Sequence, residues 1–277
     1  MQSSFPQPPN IDISFIDFQD DPLLGKQDNF FTYPQLYSAI VRSATNKENY
    51  KFVEIGAWKG RSAAYMGAEI EFHSRLHRNK YKITLDAIDT FCGSEEHKDL
   101  LKNEEESLYD ICKRQIQPVS DYVNIIKGDS VKSSDKYEDE SLDFVFIDGD
   151  HSYDGVMRDI EAYFPKIRIG GVIAGHDYEG GWVDCKKAVD DFFNEGGLGI
   201  PQNQDNNWNH EYEGELNWPA GELCWGVIKT SKTDYCTLLS KSAIDLVKRA
   251  ASTGNLWCGQ INPTHDVLLS LYNLKEF

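Results

Sequence analysis

Positive charge is scarce in this sequence. Its 277 residues include 28 Lys and Arg against 45 Asp and Glu, which gives a formal net charge of −17 at pH 7. Sequence-independent binding to nucleic acid or to an anionic membrane surface requires a basic face. The sequence therefore predicts no nucleic acid partner and no membrane partner, and it favours a small molecule or a glycan as the acceptor that the protein binds.

Long apolar runs and closely spaced cysteines are also missing. No run approaches the roughly 20 apolar residues that a membrane-spanning helix needs. The first ten residues, MQSSFPQPPN, lack the basic and apolar regions of a secretory signal. The six cysteines are scattered, without a CxxC or zinc-binding pattern. These absences predict a cytoplasmic protein whose cysteines are reduced.

Polar residues follow two short apolar runs, 144–147 and 172–174. An amphipathic stretch lies between these runs, and this order is typical of a parallel strand–helix–strand unit. Both strands of such a unit end at the same edge of the sheet, where open α/β sheets bind their ligands. Five side chains are therefore expected to converge on one pocket: Asp148, Asp150, His151, His176 and Asp177.

Strands and helices alternate along most of the chain. Parallel strands are predicted at 51–55, 81–88, 123–126, 144–147 and 172–174, with a charged helix at 97–114 and a late antiparallel edge strand at 223–230. This order predicts an α/β fold with a doubly wound, mostly parallel sheet. We expect an N-terminal arm at 1–33, the main domain at 34–235 with an acceptor-side loop at 196–222, and a C-terminal helical extension at 236–277.

The first predicted strand runs into a glycine turn, Glu54-x-Gly56-x-x-x-Gly60. The NAD fingerprint GxGxxG has a further glycine that lets the backbone approach a pyrophosphate, and that glycine is absent here. Its absence indicates a nucleoside ligand without a pyrophosphate, and the carboxylate of Glu54 suits a cationic amino group. Asp89 ends the next strand, where a carboxylate can accept hydrogen bonds from ribose hydroxyls. The alternative is that the glycines serve the turn alone and Asp89 is an ordinary cap.

Four sequence segments, VEIGAWKGRSAAYMG, AIDTF, GDS and FIDGDHSYDGVMRDI…GGVIAGHDY, together resemble the class I S-adenosylmethionine-dependent methyltransferases. They are most similar to the branch of metal-dependent sugar O-methyltransferases from macrolide and aminocoumarin pathways. The resemblance covers about 51–178 and implies a Rossmann-like fold that binds S-adenosyl-L-methionine. The expected cofactor-binding residues are Glu54, Gly56, Gly60, Ser62, Asp89, Phe91, Asp129, Ser130 and Asp148.

The resemblance assigns these residues to different parts of the cofactor. It implies that Glu54, Gly56 and Gly60 line the methionine end and that Asp89 holds the ribose. Asp129 and Ser130 would contact adenine. From its place two residues after Asp89, Phe91 is expected to pack against an adenine face.

The resemblance also implies a divalent metal, Mg²⁺ or Mn²⁺, at the ends of the two strands. Asp148, His176 and Asp177 are the candidate ligands. The sugar enzymes commonly carry an acidic residue at the position of His176, and an imidazole favours Mn²⁺ or another transition metal. Two alternatives stay open: His176 is not a ligand, or the acidic edge needs no metal.

A general base must accept the proton of the hydroxyl that is methylated. His151 has a suitable unperturbed pKa of about 6.5, and by resemblance to the macrolide enzymes it is the base. An aminocoumarin relative uses an aspartate at the position of Asp150, so Asp150 is the second candidate. A purely structural role for His151, as a helix cap, is the remaining alternative.

The sequence thus predicts an S-adenosylmethionine-dependent O-methyltransferase that is metal-assisted and methylates a hydroxyl of a sugar or another vicinal diol. Methylation of a catechol or another small phenol is an alternative. A non-catalytic cofactor-binding or glycan-binding module is another. The oligomeric state stays open, with a homo-oligomer among the alternatives.

Overall fold

A central sheet of seven strands organises the computed structural model, which describes residue 31 and residues 33–93, 106–178, 182–195, 224–229 and 235–237. The strands are β1 Asn49–Ile55, β2 Lys82–Asp89, β3 Val123–Lys127, β4 Leu142–Ile147, β5 Ile167–Gly175, β6 Trp225–Lys229 and β7 Tyr235–Thr237. Their order across the sheet is β3-β2-β1-β4-β5-β6-β7. The first five strands pair in parallel, whereas β6 and β7 are antiparallel.

Helices pack on both faces of this sheet. They are α1 Pro34–Ser43, α2 Arg61–Leu76, α3 Leu108–Ile116, α4 Ser130–Ser134, α5 Tyr153–Tyr163 and α6 Val183–Glu195, with a 3₁₀ turn at Gln117–Val119. None of the helices within these ranges combines the length and the apolar character needed to cross a membrane. The predicted doubly wound, mostly parallel α/β fold is confirmed.

Alternation along the strands divides the buried side chains into two cores. On β4, Phe144 and Phe146 join the core that α1, α2 and α3 cover. Val145 and Ile147 join the opposite core, beneath α5 and α6. Successive side chains of a strand point to opposite faces, and here both faces are covered. A strand buried on both faces is continuously apolar, which explains why the run 144–147 was recognisable.

The strand predicted at 172–174 is longer in the structure, because β5 begins at Ile167. Gly170 lies within it with φ of +77°, and the pairing of β4 with β5 shifts register between Leu142 and Phe144. Such an irregularity lets a glycine remain within the strand. The two glycines before 172 therefore belong to the strand instead of preceding it.

Two other predictions differ from the structure. The helix predicted at 97–114 is α3, which begins after the N-cap Ser107 and ends at Ile116; residues 94–105 lie outside the described ranges. The late strand is β6, but β7 pairs beyond it and is therefore the edge strand. The predicted loop at 196–222 and the helical extension from 238 onward lie outside the described residues.

Candidate functional site

A cavity of about 390 Å³ opens at the carboxyl ends of the parallel strands. The chain continues from β1 to β2 on one side, and β4 lies against β1 on the other. This is the switch point at which open α/β sheets bind ligands. The ends of β1, β2, β3, β4 and β5 all contribute to the cavity wall, through residues that include Gly56, Asp89, Ser130, Asp148 and Asp177.

Gly56 brings the turn after β1 against the turn after β4. Its φ is +92°, and a Cβ at this position would lie 1.8 Å from the backbone oxygen of Asp148. The backbone N–H of Gly56 donates to the carbonyl of Ile88, at 2.8 Å. Only glycine fits both the conformation and the space, so the backbone itself forms this wall of the cavity.

Asp89 lies on the cavity wall at the end of β2. One of its carboxylate oxygens accepts a hydrogen bond from the backbone N–H of Trp58 at 2.7 Å, and the other accepts one from that of Phe91 at 2.6 Å. Each carboxylate oxygen can accept more than one hydrogen bond. The carboxylate is therefore held in place while it retains capacity for a ligand hydroxyl.

Four of the predicted cofactor-binding residues do not line this cavity: Glu54, Gly60, Ser62 and Phe91. Gly60 is the N-cap of α2, and Ser62 is buried in its first turn. Phe91 packs edge-on against Tyr109, with their ring centroids 5.2 Å apart.

Glu54 is fully buried. Its Oε1 accepts a hydrogen bond from the Tyr37 hydroxyl at 2.9 Å, whereas its Oε2 has no hydrogen-bond partner within the described part of the chain. Burial raises the pKa of Glu54 to about 7, against the opposing effect of hydrogen bonds from Ser62 and Tyr37. A buried acceptor without a partner is costly, and this one lies two residues before Gly56.

Asp129 and Ser130 line the cavity at the end of β3. The Asp129 carboxylate accepts from the backbone N–H of Lys132 at 2.9 Å and so caps α4. The Ser130 hydroxyl donates to Asp159 at 2.5 Å. Asp159 also lines the cavity, and burial raises its pKa to about 6. The sequence analysis missed Asp159, which looked like one of many acidic residues on an amphipathic helix.

The ends of β4 and β5 bring together Asp148, His151 and Asp177. His151 Nε2 lies 3.0 Å from Asp177 Oδ2 and 3.9 Å from Asp148 Oδ1. One ligand atom from each of the three residues lies within 4.8 Å of the others, a spacing that could hold a metal ion. We call these three residues the acid–His cluster.

His176 lies beside the acid–His cluster. Its Nδ1 is 3.2 Å from Asp177 Oδ1 and 3.8 Å from Asp148 Oδ1. The imidazole is buried and its ring centroid lies 5.1 Å from that of Tyr33. His176 also lines the cavity, but His151 takes its place in the three-residue grouping that could bind a metal.

Burial and opposite charge act against each other on these side chains. Burial by itself lowers the pKa of His151, but the carboxylates of Asp148 and Asp177 outweigh it and raise the pKa to about 11. For Asp177, burial opposes ionisation, but hydrogen bonds from His151 and His176 hold its pKa below the usual range. The backbone of Asp177 adopts φ of +58°, a left-handed conformation that aspartate tolerates better than most residues.

Asp150 occupies a different part of the cavity wall. Its Oδ1 accepts from the backbone N–H of Ser152 at 2.9 Å, and its Oδ2 lies 3.8 Å from the Arg158 guanidinium. The side chain is about half exposed. Of the two candidate bases, only His151 contacts the strand-end carboxylates.

Comparison with known proteins finds a match for the central part of the chain. Residues 53–178 match the family model described as a methyltransferase domain. The match runs from β1, through the Gly56 turn, to Tyr178 just beyond the acid–His cluster.

Individual relatives of this domain are distant. An uncharacterized protein of Acanthamoeba polyphaga mimivirus is 26% identical over 157 residues, which is 56% of this chain. The chain spans 64% of that viral protein, less than two thirds of its length. The solved O-methyltransferase NovP is 20% identical, with a TM-score of 0.42 and coverage of 59% of this chain and 71% of that one. The Bacillus cereus O-methyltransferase in complex with SAH is 17% identical, with a TM-score of 0.45 and coverage of 72% and 83%.

Two aromatic residues near the cavity were missed by the sequence analysis. Tyr33 precedes α1 and reaches the Asp148 carboxylate, although the segment was read as part of an irregular arm. Trp182 lines the cavity and its ring lies against His151. Neither residue belongs to a strand-end motif, so only the fold brings it to the site.

Proposed function

We propose that this protein is an S-adenosylmethionine-dependent O-methyltransferase that acts on a hydroxyl of a sugar or another vicinal diol, with the help of a divalent cation. One observation carries the proposal. A single cavity is lined by the Gly56 and Asp89 turns of a methyltransferase domain and by the acid–His cluster. Cofactor-binding elements and groups suited to activating an oxygen therefore share one space.

The cavity has the properties that S-adenosyl-L-methionine requires. Its volume of about 390 Å³ lies within the usual range of ligand pockets. Gly56 keeps the wall free of side-chain atoms, and Asp89 offers a fixed carboxylate to the ribose hydroxyls. When bound, this cofactor supplies a methyl group on a sulfonium, the electrophile of the reaction.

The acid–His cluster fits a hard or borderline cation. Asp148 and Asp177 offer carboxylate oxygens, and His151 offers a ring nitrogen. When bound there, a divalent cation would neutralise the two carboxylates, which lowers the pKa of His151, and would polarise an acceptor hydroxyl. His176, beside the cluster, is the alternative ligand if His151 serves as the base.

In the proposed reaction, His151 accepts the proton of the acceptor hydroxyl. Bound S-adenosyl-L-methionine would supply the methyl group for the new carbon–oxygen bond, and the electron pair of its carbon–sulfur bond would stay on sulfur. Asp177, 3.0 Å from His151 Nε2, holds the imidazole in place and stabilises it once it is protonated. Asp150 is not in contact with this group, and we give it a supporting role through Ser152 and Arg158.

The first test measures cofactor binding by calorimetry. The wild-type protein should bind S-adenosyl-L-methionine, and Asp89→Ala should weaken this binding at least about tenfold, because a carboxylate that binds two hydroxyls is lost. The exposed residue Asp121 provides a control, and Asp121→Ala should bind as the wild type does. A wild-type protein without affinity for the cofactor would refute the proposal.

The second test measures methyl transfer to a panel of saccharides, vicinal diols and catechols. Chelator and Asp148→Asn should both abolish transfer, and His151→Ala should slow it about 100-fold or more on sugars. Phenols are more acidic, so a much smaller effect on a catechol would favour the phenol alternative. Cofactor binding without transfer to any acceptor would favour the non-catalytic module. Full activity after exhaustive chelation would remove the metal from the proposal.

A further inference from the structure

Trp182 lies beside the acid–His cluster on the wall of the cavity. It immediately precedes α6, and its backbone carbonyl accepts from the N–H of Lys186 at 3.2 Å. The side chain lines the cavity. Its ring centroid lies 4.4 Å from that of His151, with the planes 39° apart. Because His151 belongs to the acid–His cluster, the indole lies next to the groups that would activate a hydroxyl.

The cavity has two chemically different ends. Trp58 lines the end formed by the turns after β1 and β2, and its backbone N–H donates a hydrogen bond to the Asp89 carboxylate. Trp182 lines the end formed by His151 and Asp177. The cofactor occupies the first end in the proposed function. The second end is therefore the part that remains for the acceptor.

The indole is also unusually exposed. Trp182 is 38% exposed, whereas Trp225 is 3% exposed. Within the described ranges, the exposed large apolar side chains are Leu76, Ile169, Trp182 and Val183. Of these, only Trp182 lines the cavity. A large aromatic surface that is left open to a polar cavity gains stability when an apolar ligand surface covers it.

We propose that Trp182 is an acceptor-binding residue, whose indole packs against the apolar face of a ring that bears the hydroxyl to be methylated. The inference rests on the proposed function and deepens it, because it assigns the acceptor's shape. The C–H face of a pyranose and the face of a phenol share the required chemistry, since both pack on the electron-rich face of an indole. An acyclic diol lacks this face.

A purely structural Trp182 would behave differently from an acceptor-binding one. If the indole only supported His151, its replacement would lower kcat and leave acceptor affinity unchanged. If it binds the acceptor, affinity should follow the aromatic face, in the order Trp, Phe, Leu. Cofactor affinity should be the same in all three proteins, because Trp58 and Asp89 lie at the other end.

The experiment uses the full-length protein with S-adenosylhomocysteine and Mg²⁺. Ligand-detected NMR would screen methyl pyranosides, dihydroxybenzoates and acyclic diols for binding, which does not require turnover. The wild type should bind at least one ring compound and no acyclic diol. Trp182→Leu should weaken ring binding about fivefold to tenfold, and Trp182→Phe by about threefold or less. The adjacent exposed residue gives the control, Val183→Ala, which should bind as the wild type does.

The inference would be overturned if no ring compound bound to the wild type, or if Trp182→Leu bound the ring with an affinity within twofold of the wild type. It would also be overturned if the affinity of Trp182→Leu for S-adenosylhomocysteine fell as much as its affinity for the ring. Whether pyranosides or dihydroxybenzoates respond to Trp182→Leu decides which ring the site accepts. Ring binding without methyl transfer would instead refute the proposed function while leaving the role of Trp182 intact. Methyl transfer by Trp182→Leu with an unchanged KM for the acceptor would instead refute the role of Trp182 and leave the proposed function intact.

Discussion

The hydroxyl of Tyr33 donates a hydrogen bond of 2.8 Å to Oδ2 of Asp148. Both residues have little exposure, and the bond joins the segment before α1 to the end of β4. The aromatic ring of Tyr33 also packs between Phe146 and His176. Tyr33 therefore fixes one oxygen of Asp148 and leaves the other facing the imidazoles.

We expect Tyr33→Phe to weaken divalent-cation affinity about tenfold, because residues that hold a ligand in place typically contribute that much. Calorimetric titration with Mn²⁺ would measure it. Tyr50→Phe is the matched control, since its hydroxyl binds Asn46 at the opposite end of β1. Equal Mn²⁺ affinity in Tyr33→Phe and Tyr50→Phe would contradict the assignment.

A second prediction concerns the backbone wall at Gly56. Gly56→Ala should destabilise the protein by roughly 2–4 kcal/mol, because the new methyl group would overlap the backbone of Asp148 in a conformation that alanine rarely adopts. Urea unfolding would measure the loss, and binding of S-adenosylhomocysteine should also fall.

Gly128→Ala provides the control for that experiment. Gly128 lines the same cavity, but the nearest atom to its added Cβ would be Ser133 Oγ at 3.6 Å, an ordinary contact. Its stability should stay within about 1 kcal/mol of the wild type. If both variants were equally stable, the close approach of the two turns would not be the constraint we describe.

Because Asp159 is buried, the wild type and a variant that cannot ionise at this position should differ in stability, and the difference should depend on pH. Its pKa is raised from 3.8 to about 6, so the folded protein holds this proton more tightly than the unfolded chain does. The associated stability is present below pH 3.8 and is lost as the pH rises through 6. Asp159→Asn cannot ionise and keeps an oxygen to accept from Ser130.

The variant Asp159→Asn should therefore be more stable than the wild type by about 3 kcal/mol at pH 8, and the two should converge near pH 4. Urea unfolding of both proteins at the two pH values would measure this, and ionisation of other groups cancels in the comparison. A difference that does not change with pH would show that ionisation of Asp159 is not its source.

The fourth prediction concerns Lys229, a buried lysine on β6. Its Nζ donates to the carbonyls of Phe164, Pro165 and Ile167 at 3.2, 3.3 and 2.9 Å. Lys229→Met should cost about 3 kcal/mol, because these carbonyls lose a charged donor. Lys136→Met, at an exposed position, should be nearly neutral. A loss below about 1 kcal/mol at Lys229, measured by thermal unfolding, would show that water replaces the ammonium.

The parts of the fold that the sequence predicted well share one physical property. Strands buried on both faces, such as β4, are continuous apolar runs, and polar residues begin where burial ends. The convergence of Asp148 with Asp177 followed from the rule that parallel strands end at one edge. The irregular start of β5 was not predictable, because Gly170 reads as a turn until the register with β4 is known.

The site was less predictable wherever contacts cross the chain. Phe91 follows Asp89 by two residues, yet its side chain turns to Tyr109 because its φ is +56°. His151, not His176, completes the candidate metal grouping, although both imidazoles lie within 4 Å of the two carboxylates. Tyr33 and Trp182 carry no local signal, since an aromatic residue beside a helix is most often packing.

The left-handed backbone at Asp177 limits the residues this position can take. With φ of +58°, glycine, asparagine and aspartate are accommodated at low cost, whereas branched side chains are strongly disfavoured. Two of these three residues present a side-chain oxygen. The shape of the main chain thus favours oxygen-bearing side chains here before any ion or acceptor is bound. An engineer who wishes to change the metal preference has more freedom at His176, one residue earlier, where no such backbone constraint applies.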